Sequence, residues 1–211
     1  MKKIKRYATF LLGIIILTLG VALIAKADIG NGSFDSINFG LQSKFGGNLS
    51  FWVAVSSLIA LIIASIVNKK IPNIFSFITA YIVGVFIEIW IKITEPIVIN
   101  SLVSKYLVFL LAIVILAIGI SIYLLAKLPP NAIDYLVLTL SETYKIKLGT
   151  IKLIVDFICI VLALIVKGPI GIGTILATVL LGPMINIVQK PIENIFVGKE
   201  EIVINEEKLA S

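Results

Sequence analysis

Six stretches of the chain are predominantly apolar over about the twenty residues that a hydrocarbon layer of roughly 30 Å requires of a helix. They run approximately from Ala8 to Ala25, Leu49 to Val67, Ile74 to Ile91, Tyr106 to Ala126, Leu148 to Val166 and Ile170 to Val188. Each predicts a membrane-crossing helix. Two shorter pieces, Ser33 to Phe45 and Ala132 to Tyr144, interleave with them, and the first carries Asp35, Asn38, Gln42 and Lys44. At 1.5 Å of rise per residue each piece reaches only about 20 Å. They are predicted as half-helices that re-enter the membrane or lie at its surface, with their broken ends covered by protein or facing water.

The pattern occurs twice. LLGIIILTLGVALIAKADIGNGSFDSINFGL in the first half aligns with LLAIVILAIGISIYLLAKLPPNAIDYLVLTL in the second. Leu11, Leu12, Ile14, Ile16, Leu17, Gly20, Ala27, Asp35 and Leu41 meet identical residues at one constant offset. The expected fold is therefore all-α: a polytopic membrane protein of two internal repeats, residues 1–95 and 96–195, with about six crossings, two half-helices and a short acidic tail over 196–211.

Composition agrees with a membrane class. Hydrophobic residues make up 59% of the chain and charged residues 14%, and the mean hydropathy of +1.12 exceeds that of soluble domains. The net charge of +6 comes from lysine and arginine at the ends of apolar runs, which suits an anionic lipid surface and not nucleic acid. There is no histidine, and the single cysteine, Cys159, has no internal partner for a disulfide. Histidine-based triads and zinc chemistry are excluded, no cofactor is expected, and an enzyme is not expected.

The N-terminal Lys2, Lys3, Lys5 and Arg6, followed by an apolar core and Ala25-Lys26-Ala27, have the form of a signal peptide. The same element recurs from Leu110 to Ala126, which favours a first helix of the mature fold. With six crossings, the basic residues fall inside when both termini are cytoplasmic, but eight crossings satisfy the charge rule equally well. Segment length selects six. Trp52, Trp90, Tyr7 and Tyr123 near the ends of runs are expected to be interfacial anchors.

Candidate chemistry gathers in three places. The breaks ADIGNGSFD and AKLPPNAID achieve the same interruption differently, with Gly30 and Gly32 in one and Pro129 and Pro130 in the other. Asp35 and Asp134 follow in the first turn of each half-helix, where a carboxylate either caps free amides or flanks a site for a cation or proton. GPIGIGT, containing Gly171, Gly173 and Thr174, precedes Gly182-Pro183. With no P-loop lysine following and no strand before it, it reads as close helix packing or an anion-facing helix start, with a kink expected near Pro183. Within the fifth run, Asp156 lies four residues after Lys152, a spacing that permits an ion pair. Glu88, near the end of its run, can reach the interface.

These motifs resemble a family. A break of the A-x-L-G-x-G-P-x-D type with a short helix after it, then G-I-G-T and a later G-P on a duplicated membrane unit, is similar to the YczE/YyaS/YitT group of bacterial integral membrane proteins, nearest its YczE branch. The likeness spans roughly Arg6 to Gln189. Asp35 and Asp134 match the acid of the breaks, Gly171, Gly173, Thr174, Gly182 and Pro183 match the second signature, and Lys152 with Asp156 look like the charged pair of the corresponding helix. Ser33 stands where the first break usually has proline, and Pro129 where the second has glycine. The resemblance implies a protein of the bacterial cytoplasmic membrane and names no substrate.

The expected function is secondary transport or export of a small molecule or ion through a site between the repeats. That site is expected to draw on Asp35, Asp134, Asp156, Lys152, Gly30, Gly32, Gly171, Gly173 and Thr174, with lipid as the surrounding partner. The alternative is a membrane scaffold or regulator acting on another pathway, with the acidic tail as its docking surface.

Overall fold

A computed structural model describes residues 3–196, so the tail acids Glu200, Glu201, Glu206 and Glu207 lie outside the described residues. Among the described residues there are eight helices: α1 (Lys3–Ala27), α2 (Ser33–Phe45), α3 (Leu49–Asn68), α4 (Ile74–Thr94), α5 (Leu102–Leu125), α6 (Ala132–Tyr144), α7 (Leu148–Ile165) and α8 (Ile172–Phe196). Six are long and apolar enough to cross a membrane, and α2 and α6, with 13 residues each, are not among them. The order long, short, long, long therefore occurs twice. Polar or charged ends extend several helices beyond their apolar runs: α1 takes in Arg6, α5 begins before Tyr106, and α8 continues through Pro183 and Pro191.

Helices stop at residues in the left-handed region. Asp28 (φ 53°) closes α1 and Lys127 (φ 49°) closes α5, while Gly46 (φ 74°) and Lys145 (φ 55°) close α2 and α6. A left-handed residue ends the helical hydrogen-bond ladder, and lysine there also complements the negative end of the helix dipole.

The two halves interlock through two kinds of contact. The first is the crossing of α1 with α5, where Gly20 lies against Leu116 and Gly119 against Leu17. A Cβ added at Gly20 would stand 2.7 Å from the backbone nitrogen of Leu116. Only glycine allows such an approach, and the paired contacts are reciprocal in the manner of a two-fold interface. In the second, each short helix docks on the other half: α2 packs on α7 around Ile37, Val155 and Cys159, and α6 on α3 around Leu136, Ala60 and Ala64.

The surface is that of a lipid-embedded protein. Phe157, Ile158, Leu164 and Ile165 on α7 and Ile59, Ile62, Ile63 and Ile66 on α3 are exposed, while Asn38, Ser36, Thr18 and Thr174 are fully enclosed. Two expected anchors turn inward. Tyr123 is 3% exposed, and the Trp90 indole donates to the Ile15 carbonyl of α1 at 3.0 Å, because each ring's polar tip finds a partner within the bundle. Trp52 is half-buried and donates to the Gly46 carbonyl beside its own helix. Glu88 also turns to a neighbouring helix, accepting from the Ser50 hydroxyl at 3.0 Å.

In one respect the halves differ. Helices α3 and α4 pack together, with Gly84 against Ser50 and Val53, whereas α7 packs on α2 and α6, α8 packs on α5, and α7 and α8 have no comparable packing on each other.

Crossing number has a direct test in a Cys159→Ser background. Single cysteines at Asn48 and Ile146, both in exposed connections, are expected to react with an impermeant thiol reagent from opposite sides of the membrane. Reaction from the same side would indicate eight crossings.

Candidate functional site

Both breaks are held by contacts with other parts of the protein. In the first, the Asn31 amide donates to the Pro169 carbonyl at 2.9 Å and the Gly173 amide to the Ile29 carbonyl at 2.7 Å. Gly30 has φ 119°, and a Cβ on it would come within 2.7 Å of the Gly171 nitrogen and 2.8 Å of the Thr174 hydroxyl. Both conformation and proximity therefore demand glycine. In the second break, Arg6 donates to the Ala126 and Lys127 carbonyls at 3.0 Å each, and the Thr79 hydroxyl reaches the Pro129 carbonyl at 3.4 Å.

Both half-helices begin at one cavity of about 620 Å³. Gly32, Ser33 and Asp35 of the first and Asn131, Ile133 and Asp134 of the second line it, with Tyr123 of α5 and Lys147, Lys152 and Asp156 of α7. Apolar residues form most of the rest of the wall, among them Ile14, Leu17 and Val21 of α1, Val83 of α4 and Leu116 and Ile120 of α5, with Thr79, Thr150 and Thr178 between them. A half-helix start brings free amides and the positive end of a dipole to a cavity, and two starts at one cavity make a polar centre in an apolar enclosure.

The two aspartates do not act as hydrogen-bonding caps. The N-cap of α2 is Gly32, without a side-chain bond, and that of α6 is Asn131, whose side chain accepts from the Ile133 amide. Asp134 instead accepts from the Tyr123 hydroxyl at 2.7 Å. Among the described residues, the Asp35 side chain makes no hydrogen bond and no ion pair; it lies over Gly32, where an added Cβ would meet its carboxylate at 2.9 Å. An unpartnered carboxylate facing a cavity is free to take a cation or a proton.

Asp156 joins the two halves. Its carboxylate pairs with Lys152 at 3.1 Å and accepts from the Ser33 hydroxyl at 2.6 Å, which ties the start of α2 to the middle of α7. The ammonium side is about half exposed and Asp156 is buried, so this pair leaves water on one side only. Asp156→Ala is expected to lower stability by about 2 kcal/mol, since it strands the buried Ser33 hydroxyl, and Lys152→Ala by clearly less. Denaturant titration in micelles of matched composition measures both.

Of the nine residues singled out from sequence, Asp35, Asp134, Asp156, Lys152 and Gly32 meet at the cavity. Gly30, Gly171, Gly173 and Thr174 form a second group, packed against one another behind it. Ser33, Tyr123 and Arg6 also belong to the site and its support. In the sequence, Arg6 reads only as part of a basic cluster and Tyr123 only as a residue near a helix end.

Comparison with known proteins gives a family and no activity. Residues 4–190 match the model described as a family of unknown function, DUF6198. An uncharacterized protein of Bacillus subtilis (strain 168), YyaS, is 34% identical over 195 residues, covering 92% of this chain and 97% of its own. An uncharacterized membrane protein of the same organism, YczE, is 25% identical over 178 residues, covering 84% and 82% respectively. No solved structure matches.

Proposed function

Taking as premise that this chain belongs to the family of unknown function DUF6198 and is a multi-pass membrane protein, we propose that it is a secondary transporter or exporter of a small molecule. The observation that carries this reading is the convergence of two half-helix starts and an unpartnered carboxylate on one cavity between the halves. Secondary transporters with broken helices bind solutes and coupling ions at such places. Asp35 and Asp134 would bind the cationic group or coupling ion, and the Lys152–Asp156 pair would hold the start of α2 in position. Rocking of one half against the other would expose the cavity to each side in turn. On this reading the protein is a carrier and not an enzyme, it sits in the cytoplasmic membrane, and both termini are cytoplasmic, where the basic ends of α1 and of the α6–α7 connection meet anionic lipid.

The test is flux into proteoliposomes under an imposed proton or sodium gradient, across a panel of cationic, neutral and anionic solutes. Gradient-driven movement of a solute by the wild-type chain, lost in the double variant Asp35→Asn, Asp134→Asn, is expected. A chain that moves nothing under either gradient, while deletion of the residues after 196 abolishes its cellular effect, would favour a scaffold.

A further inference from the structure

The cavity has a side door. Helices α3 and α4 pack along each other in the first half, but in the second half α7 and α8 have no comparable packing. The cavity lining continues onto both edges of that gap, with Gly149, Thr150 and Leu153 on α7 and Thr178, Leu181 and Gly182 on α8. At Gly149 and Gly182 an added Cβ would meet no heavy atom within 4 Å, so both edges border open space. Beyond the edges, Ile154 and Phe157 of α7 and Ile175 and Val179 of α8 are exposed apolar surface of the kind that lipid covers.

What fits such a cavity follows from its two ends. Three carboxylates, Asp35, Asp134 and Asp156, face two ammonium groups, Lys147 and Lys152, and the one ion pair among them joins Lys152 to Asp156. Asp35 is left without a partner among the described residues. Most of the remaining wall is apolar, with the hydroxyls of Ser33, Thr79, Thr150 and Thr178 and the Asn131 amide set among it, and a wholly hydrophilic solute would leave that apolar majority without complementary contacts. A molecule with an apolar body and one positive charge would satisfy both ends, and such molecules partition into the bilayer before they meet a protein.

We propose that the cavity binds amphipathic organic cations, which enter from the lipid through the gap between α7 and α8. The cation rests against Asp35 and Asp134, and the apolar body lies along α1 and α5. This inference rests on the transporter reading only in taking the cavity as the binding site.

Binding of tetraphenylphosphonium to the full chain in lipid nanodiscs tests it, with tetraphenylborate as the anion of like shape and tetramethylammonium as the cation without an apolar body. Tetraphenylphosphonium is expected to bind at least about 10-fold more tightly than either. Asp35→Asn is expected to weaken it by a similar factor. Gly182→Trp places its ring in open space at the edge of the gap and is expected to slow association at least about 10-fold with little change in affinity. Gly149→Trp is a second way to obstruct the same gap.

Equal affinity for tetraphenylphosphonium and tetraphenylborate would overturn the substrate class. Unchanged association in both tryptophan variants, or a stable dimer seated in the gap, would overturn the lateral route. The two readings fail separately: portal-dependent binding without gradient-driven flux would remove transport and keep the inference. Flux of a hydrophilic solute that ignores the tryptophan changes would do the reverse.

Discussion

Gradient-driven flux is expected to fall at least about 30-fold when Asp35 and Asp134 both become asparagine, while the protein still folds. The size follows from the cost of withdrawing the charge that faces a bound cation in a partly dry site, about 2–5 kcal/mol where the partner is left unpaired. Folding is spared because asparagine has nearly the same shape and because neither carboxylate closes its helix. The single changes differ in kind. Asp35 has no hydrogen-bond or ion-pair partner among the described residues, so Asp35→Asn removes the charge without breaking a described bond; Asp134→Asn also alters the bond from Tyr123. Tyr123→Phe separates the two effects, and initial rates in proteoliposomes of equal protein content measure them all.

The other large effect concerns the fold. Gly119→Leu is expected to destabilise the chain by at least about 3 kcal/mol, because even the first carbon of the new side chain would overlap the Leu17 backbone and force α1 and α5 apart. That crossing holds Ile14, Leu17, Ile113 and Leu116 in the main core and forms a wall of the cavity. Gly149→Leu is the control, since its side chain would extend into open space. Unfolding midpoints in detergent are expected to drop sharply for the first variant and barely move for the second.

Element type was legible because the bilayer sets a length. Six apolar runs were long enough and two were not, and the structure has six long helices and two of 13 residues. The breaks were legible as well, since glycine in one and consecutive prolines in the other interrupt a helix for local reasons. The Lys152–Asp156 pair could be read from spacing on a single helix. What depended on which helices meet could not be read. Ser33 and Asp156 are 123 positions apart and share a hydrogen bond only because α2 docks on α7. Arg6 reaches the carbonyls of Ala126 and Lys127 only because α1 lies along α5. Tyr123 lies near a helix end, as an anchor would, yet packing turns its hydroxyl to Asp134. The glycines of GPIGIGT were visible, but sequence did not separate a place lining a site from one supporting it.

Water inside the bundle is the premise common to transport, the acidic centre and the side entrance. Thiol reactivity toward a permanently charged thiosulfonate measures it, because the reagent needs both water and thiolate. In a Cys159→Ser background, Thr178→Cys and Ile120→Cys face the cavity, while Val179→Cys, one residue from the first, and Phe157→Cys face outward. With the protein in lipid, the cavity pair is predicted to react at least about 10-fold faster than the outward pair. Equal rates at Thr178→Cys and Val179→Cys would contradict a hydrated cavity between the halves.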